Sequence, residues 1–96
     1  MKLVWTRASL KDVREIGDYI KQHNPVAAFT VTQRIFKACQ SLSANPEIGR
    51  TGRIPHTREL VVTGTAYIVP YRVLLDRVEI LAVFHGARRW PEEFTS

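Results

Sequence analysis

The chain has 96 residues, of which 45% are hydrophobic, and its formal net charge is +5 at pH 7. This length supports one hydrophobic core but not two, so we expect a single domain spanning residues 1–96. The positive charge favours an anionic partner such as nucleic acid, an acidic protein or a membrane surface, and charge alone does not choose among these classes.

Cysteine content and hydropathy indicate the cellular compartment. The single cysteine, Cys39, cannot form an internal disulfide, which is typical of a reducing compartment. The longest apolar run, Ile80 to Phe84, is far shorter than the roughly 18 residues of a membrane-spanning helix. The N-terminus, MKLVWTRA, lacks the apolar core of a signal peptide. We therefore expect a soluble, cytoplasmic protein without a membrane partner.

The N-terminal half predicts a strand followed by two helices. Leu3 to Thr6 is a short β-prone segment. Apolar residues then recur at helical spacing, which predicts an amphipathic helix: Leu10, Val13, Ile16 or Gly17, and Ile20. Asn24-Pro25 ends this helix and starts another, because Asn caps a helix and Pro needs no donor at its first position. The second helix carries its own apolar stripe: Ala28, Val31, Ile35, Ala38 and Leu42. Together they predict an antiparallel hairpin.

The C-terminal half predicts a loop and a β-meander. Asn45-Pro46 ends the second helix, and residues 45–57 form a loop, a length that is often functional. The loop carries Arg50, Arg53 and His56. Three β-rich segments follow, and their short connections favour antiparallel pairing: Arg58 to Thr63, Tyr67 to Leu74 and Val78 to Phe84. The last segment is apolar on both faces, which predicts a central strand. Pro70 suits either an edge or a bulge, and the sequence does not decide between them.

These elements predict an α+β fold with an N-terminal strand and an antiparallel helix hairpin that packs on an antiparallel sheet. If the hairpin covers one face of the sheet, the other face is left for a partner. Basic residues at the start of, within or just after the predicted strands are placed to serve that face: Arg58, Arg72, His85, Arg88 and Arg89. The residues show no helix-turn-helix and no metal-ligand spacing, so we predict no metal and no cofactor.

The order of the motifs resembles the RelE/ParE superfamily of type II toxin–antitoxin toxins. A WT…A…D…I…YI helix precedes NPxIGRxGR, TREL, YIVPYRV and VEILxVxHGARRWP, and the resemblance runs from about Leu3 to Pro91. It implies a compact α+β toxin encoded beside a labile antitoxin that wraps it, hence a toxin–antitoxin hetero-oligomer. Within the superfamily, RelE-like members are mRNA interferases of the ribosomal A site, whereas ParE-like members poison DNA gyrase.

An interferase needs cations around the scissile phosphate and groups that transfer protons. The resemblance assigns the phosphate to Arg58 and Arg88, and Arg50 and Arg53 resemble loop residues that meet ribosomal and messenger RNA. The C-terminus departs from the pattern. Interferases typically place a tyrosine or histidine there, whereas Phe94 has no proton to transfer.

His85 is the natural substitute, because its ordinary pKa near 6.5 allows it to act as base or acid. A structural role at the end of the strand, holding the turn at Gly86, is the alternative. His56 and Glu59 are weaker candidates, since alternation points Glu59 and Arg58 to opposite faces. Trp5 and Trp90 are expected to pack in the core or as a lid, although Trp90 beside arginines could also stack on a base.

The missing terminal tyrosine favours the ParE-like hypothesis, a toxin that binds and inhibits DNA gyrase. The alternatives are a ribosome-dependent endoribonuclease using Arg58, Arg88 and His85, and an inactive member that keeps only antitoxin binding. An acidic, partly disordered antitoxin segment would neutralise Arg58, Arg72 and Arg88. The residues predicted to contact RNA or another target are Arg50, Arg53, Arg72, Arg89 and Trp90.

Overall fold

Both predicted helices are present in the computed structural model, which describes residues 1–94. Helix α1 spans Arg7–Lys21 and α2 spans Pro25–Gln40. The end of the predicted second helix, at Leu42, belongs instead to a 3₁₀ turn, Ser41–Ser43. None of the helices within residues 1–94 is long and apolar enough to cross a membrane.

Side-chain caps set the starts of both helices. The Thr6 hydroxyl accepts a hydrogen bond from the N–H of Ser9, and the Asn24 side chain accepts one from the N–H of Ala27 at 3.0 Å. Pro25 follows Asn24 at the start of α2, where its missing N–H costs no hydrogen bond. The predicted hairpin turn is confirmed.

Within residues 1–94, six strands form one mixed sheet in the order β1-β5-β4-β3-β2, and β6 pairs with the other end of β4. The bounds are β1 Lys2–Trp5, β2 Arg50–Thr51, β3 Arg58–Val61, β4 Tyr67–Val73, β5 Arg77–Ile80 and β6 Phe84–His85. The predicted antiparallel meander is present in β3, β4 and β5. Strand β1 pairs in parallel with β5, and the short β2 lies inside the segment predicted as loop.

The last predicted strand is interrupted opposite Pro70. Strand β5 ends at Ile80 and β6 begins at Phe84, whereas the sequence pattern predicted one strand through both. The carbonyl of Pro70 accepts from the N–H of Leu81 at 3.0 Å, but proline has no N–H to return a second bond. Pro70 therefore lies at a break in the ladder inside the sheet rather than on an edge. Strand β5 is interior, as predicted, although β4 is the middle strand.

One face of the sheet and the two helices enclose the hydrophobic core. The residues that share it are Val13, Ile35, Cys39, Leu42, Leu60, Val62, Val69, Tyr71, Val78, Ile80 and Val83. Burial raises the pKa of the Cys39 thiol to about 12, so this thiol is unreactive. Leu10 was predicted on the buried stripe of α1 but is 43% exposed. The opposite face of the sheet, which we call the outer face, carries Glu59, Ile68, Pro70, Arg72 and Glu79.

Candidate functional site

Two arginines of the basic loop converge on one carboxylate of the outer face. Arg50 Nη2 lies 2.9 Å from Glu59 Oε1, and Arg53 Nε lies 3.1 Å from Glu59 Oε2. The backbone N–H of Arg53 adds a third hydrogen bond to Glu59 at 2.8 Å. The pairing of β2 with β3 places Arg50 directly opposite Glu59. The two loop arginines predicted to contact RNA are therefore held by an internal partner.

The environment of Glu59 stabilises its charged form. The side chain is only 2% exposed, and burial alone would raise its pKa. The hydrogen bonds from the Arg53 backbone and from the Arg53 and Arg50 side chains outweigh burial, and the pKa is lowered from its ordinary value of 4.5. A carboxylate with a lowered pKa and both oxygens in hydrogen bonds is a poor general base. Glu59, a weaker candidate for proton transfer from the sequence, is therefore poorly suited to that role.

The C-terminal segment packs on the outer face through its aromatic rings. Trp90 meets Phe84 edge to face at 5.1 Å, and Phe94 stacks on Phe84 at 6.0 Å between ring centroids. The guanidinium of Arg53 lies 3.7 Å from the centroid of the Trp90 ring. The Trp90 indole N–H is buried and donates no hydrogen bond within residues 1–94, so ring contacts hold this side chain. Arg53 thus occupies a ring face that a base would need for stacking.

A second carboxylate of the outer face also binds two arginines. Glu79 Oε1 lies 3.0 Å from Arg72 Nη2, and Glu79 Oε2 lies 3.2 Å from Arg77 Nε. Arg72 and Glu79 are direct cross-strand neighbours in β4 and β5. Arg72, predicted to contact the antitoxin or a target, is therefore already paired within the sheet.

Arg58 braces the basic loop from the side of the helices. Its Nη1 donates to the carbonyl oxygen of Gly49 at 2.8 Å and to that of Glu47 at 3.3 Å. Tyr71, opposite Arg58 in β4, donates its hydroxyl to Pro46 O at 2.7 Å and accepts from Gly49 N–H at 2.9 Å. A Cβ at Gly49 would lie 2.6 Å from the Tyr71 side chain, so this contact requires glycine.

His56 shares a hollow with Arg58. The hollow encloses about 300 Å³ and is bordered by Thr51, His56, Thr57, Arg58 and Val73. His56 has a φ of 65°, in the left-handed region that histidine adopts more readily than bulkier residues do. The alternation predicted for the strand holds: Arg58 pairs with Tyr71 on the face covered by helices, and Glu59 pairs with Pro70 on the outer face.

His85 and Arg88 lie in a different place, a trough of about 290 Å³ between α1 and the end of the sheet. The residues that line it are Asp12, Glu15, Ile16, Tyr19, Tyr67, Val83, His85 and Arg88. His85 Nδ1 accepts from the N–H of Ala87 at 3.1 Å, and the His85 ring meets Tyr67 edge to face at 5.7 Å. The Nδ1 atom is therefore used to shape the turn after β6.

Two titratable groups that line this trough, Asp12 and Tyr67, have pKa values shifted by burial. Burial raises the pKa of Asp12, and the hydrogen bond from Val83 N–H and the charge of Arg88 oppose that rise without cancelling it. Burial also raises the pKa of Tyr67. Arg88 itself lies over Phe84, with its guanidinium carbon 4.8 Å from the ring centroid.

The structure does not bring Arg58 together with His85. Arg58 faces Tyr71 and His85 faces Tyr67, four residues apart on opposite sides of β4. With a rise of about 3.3 Å per residue and about 4.8 Å between strands, their Cα atoms lie about 16 Å apart. Between them, this face of β4 carries Val69, a fully buried core residue, so no exposed surface connects Arg58 with His85 there. The predicted interferase constellation is therefore divided, with His85 and Arg88 at one end and Arg58 at the other.

Sequence reasoning missed the partners of the candidate residues. Asp12 and Tyr19 were assigned only to an amphipathic helix, and Tyr71 only to a strand. Tyr71 carried one usable signal, since a tyrosine in a core strand must find a partner for its hydroxyl. Arg89 is exposed beside the turn and makes no hydrogen bond or salt bridge within the described residues 1–94.

Comparison with protein families matches residues 3–90 to the model of the ParE toxin of type II toxin–antitoxin systems, parDE. Among curated proteins, Y4kP of Sinorhizobium fredii, named as a candidate toxin, is 45% identical over 91 residues, covering 95% of this chain and 94% of the relative. Toxin RelE2 of Caulobacter vibrioides is 39% identical over 87 residues, covering 91% and 97% of the two chains.

Two solved structures share the fold. A chain of the chromosomal ParDE toxin–antitoxin system from P. aeruginosa superposes with a TM-score of 0.82 at 28% identity, covering 88% of this chain and 95% of that one. A chain of the intact E. coli RelBE toxin–antitoxin complex superposes with a TM-score of 0.66 at 19% identity, covering 91% and 98%. The second likeness shows the α+β fold alone.

Proposed function

The chain belongs to the ParE toxin family of type II toxin–antitoxin systems, and from this premise we propose that it inhibits growth by binding DNA gyrase. We further propose that a cognate antitoxin binds and neutralises it. Gyrase inhibition is what the ParE resemblance implies, and it demands a binding surface rather than a set of catalytic groups.

The division of the candidate catalytic residues is the observation that carries this proposal. In-line cleavage of RNA needs cations and proton-transferring groups around one phosphate, within hydrogen-bond distance of the reacting atoms. The Arg58 side chain donates to the carbonyl oxygens of Gly49 and Glu47. The Cα atoms of Arg58 and His85 lie about 16 Å apart, as the spacing of residues and strands in the sheet requires. Phe94, at the position where an interferase supplies a tyrosine or histidine, packs its ring on Phe84. The arrangement favours a protein-binding toxin.

An antitoxin partner is supported by the kinds of complex in which the similar folds occur. The similar solved chain at 28% identity comes from a ParDE toxin–antitoxin system. An acidic antitoxin also suits a toxin whose net charge is +5. Arg58 and Arg72, predicted as its contacts, hold internal partners, so charge reversal there would disturb the fold before it reported on binding.

Purified toxin added to DNA gyrase tests the target directly. We expect the wild-type chain to inhibit supercoiling of relaxed plasmid DNA and to leave mRNA intact on programmed ribosomes. The variant His85→Ala should inhibit gyrase as the wild type does, because inhibition by binding needs no proton transfer and the His85 ring contacts its own chain at Ala87 and Tyr67.

The same preparation tests the endoribonuclease alternative, which the similarity to Toxin RelE2 keeps open. Cleaved mRNA in the ribosome assay, lost in both His85→Ala and Arg88→Ala, would establish the interferase and refute the gyrase proposal. In cells, induction without antitoxin should stop DNA synthesis before protein synthesis, and the reverse order would likewise refute gyrase as the target. Unchanged growth and no effect in either assay would identify an inactive member.

A further inference from the structure

Three exposed cations follow one side of α1. Arg7, Lys11 and Arg14 are separated by steps of four and three residues, each close to one helical turn, so their side chains lie on the same side of the helix. We call these three residues the α1 cation row. Leu10 borders the same groove and is 43% exposed, which explains its departure from the predicted core. Asp18, four residues after Arg14, ends the row.

The α1 cation row has little internal compensation. Within residues 1–94, neither Arg7 nor Arg14 forms a salt bridge or a side-chain hydrogen bond, and both are exposed. Lys11 approaches Glu15 at only 3.9 Å, with both side chains largely in solvent. An exposed pair of this length is weak and leaves the lysine available. The row therefore presents three positive charges that an anionic partner can neutralise.

The length of the row matches the phosphate spacing of a DNA strand. Arg7 and Arg14 are seven residues apart, which is about 10 Å along a helix axis. Successive phosphates of one strand of B-DNA advance by about 3.4 Å along the duplex axis, so this length covers about three of them. Arginine contacts phosphate oxygens with two parallel donors, and lysine contacts them as a point charge. A regular series of anions, rather than a single carboxylate, suits this row.

The opposite side of α1 argues against a membrane surface as the partner. A helix that lies in a membrane interface buries its apolar side among lipids. In α1, Val13 is only 4% exposed and belongs to the hydrophobic core, against which Ile16 also packs. Because most of its apolar side is already covered, α1 offers mainly its charged side. A phosphate backbone, which is bound largely through charge, fits such a surface.

We propose that the α1 cation row binds the phosphate backbone of duplex DNA without reading its sequence. Phosphate contacts position a protein on DNA and carry no sequence information directly. The proposal deepens the proposed function and rests on it for the source of the DNA, because gyrase acts on duplex DNA. A toxin bound to gyrase would use the row to hold the DNA that the enzyme is processing.

Binding to a DNA duplex of about 20 base pairs, measured by fluorescence anisotropy between about 50 and 200 mM salt, tests the proposal. Each neutralised phosphate contributes about −0.9 to the slope of log affinity against log salt concentration, so we expect a slope of about −2.7 for the wild-type toxin. Arg7→Gln combined with Arg14→Gln should bring the slope to about −0.9 and weaken the affinity at about 50 mM salt at least about tenfold.

The matched control is Lys37→Gln combined with Arg89→Gln. It removes the same charge from exposed residues outside the row, so it should keep the wild-type slope and bind within about threefold of wild type. Circular dichroism melts would verify that both double variants fold. Equal slopes in the two double variants would overturn the proposal.

Glu15→Gln provides a gain of affinity that a folding defect cannot imitate. The substitution removes the carboxylate beside Lys11, so the lysine charge is no longer shared. DNA binding at low salt should tighten about two- to threefold. Glu47→Gln, at an exposed carboxylate of the loop outside α1, should change the affinity less than about 1.5-fold. A gain of equal size in both variants would assign binding to net charge rather than to the row, and would contradict the proposal.

Nuclear magnetic resonance locates the contact without any substitution. The Nε–H signals of Arg7 and Arg14 should shift when the DNA duplex is added, because these groups have no internal acceptor within residues 1–94. The Nε–H of Arg53, already bonded to Glu59 at 3.1 Å, serves as an internal reference that should not shift. A shift at Arg53 without one at Arg7 and Arg14 would move the contact to the outer face and overturn the proposal.

The remaining outcomes separate this proposal from the proposed function. A toxin that inhibits gyrase but does not bind the duplex would overturn the DNA contact alone. A toxin that binds DNA through the row but leaves supercoiling unaffected would refute gyrase as the target and leave the DNA contact in place. Tighter binding to poly-glutamate, or to an RNA duplex of the same length, would give the row to another class of anion and would also overturn the proposal.

Discussion

The outer face of the sheet and the exposed side of α1 that carries Arg7, Lys11 and Arg14 are both rich in basic residues, yet their charges are arranged differently. On the outer face, Glu59 binds Arg50 and Arg53, and Glu79 binds Arg72 and Arg77. On α1, Arg7 and Arg14 have no such carboxylate within residues 1–94. A basic residue is available to a partner only when the fold has not already paired it. The net charge of +5 therefore does not locate the binding surface.

Glu59 should show the largest effect on stability. Glu59→Ala removes a nearly buried carboxylate and leaves Arg50, Arg53 and the Arg53 N–H without their acceptor. Because both guanidinium groups are about half exposed and can be rehydrated, we expect a loss of about 3 kcal/mol, at the low end for a broken buried pair. Urea unfolding measures it. The control Glu15→Ala, in the exposed pair with Lys11, should cost about 0.5 kcal/mol or less. Equal losses in the two variants would remove the distinction between the surfaces.

Tyr71→Phe should produce the next largest loss. The hydroxyl links Pro46 O and Gly49 N–H, and without it the Gly49 N–H has no acceptor in a buried place. Leaving such a donor unpaired costs about 1–3 kcal/mol. The loop would loosen beside β2, so the amides of Arg50 and Thr51 should exchange faster in the variant. A stable variant with unchanged exchange would mean that Arg58 alone holds the loop.

The pH dependence of stability should be a smaller effect with a defined sign. The folded-state pKa of Glu59 is lowered, so its contribution is fully present above the ordinary value of 4.5 and is lost as pH falls through the folded pKa. The raised pKa of Asp12 acts oppositely, because the folded chain binds that proton more readily. Unfolding of the wild type and of Glu59→Gln, compared from about pH 6 to about pH 3, isolates the first contribution. The stability curve of Glu59→Gln should fall less steeply with acid, and parallel curves would contradict the ion-pair account.

Local signals predicted the helices and most of the sheet. Asn24-Pro25 placed the hairpin turn, since capping depends on neighbouring residues only. The alternation of Arg58 and Glu59 was also predicted, because side chains on a strand follow a period of two. The resemblance to RelE/ParE toxins is confirmed by the family match and by the shared fold.

The rest depended on contacts between distant residues. The break in the ladder at Pro70 depends on which strand lies beside this proline, because proline has no N–H to donate. Strand β2 has only two residues and is too short to show an alternating pattern. The parallel pairing of β1 with β5 joins residues more than 70 positions apart. The internal partners of the candidate site residues could not be predicted for the same reason: a sequence shows arginines, but the carboxylate that pairs with each is known only from the fold. Arg53 and Arg7 look alike along the chain.

Single alanine substitutions at those two arginines give the smallest and most direct test of the comparison. Arg53→Ala removes a salt bridge to Glu59 and the contact with the Trp90 ring, and should cost about 1–2 kcal/mol. Arg7→Ala removes no contact of this kind and should change the free energy of unfolding by about 0.5 kcal/mol or less. Thermal melts of both variants measure these two losses. A loss in Arg7→Ala as large as that in Arg53→Ala would show that Arg7 serves the fold, as Arg53 does.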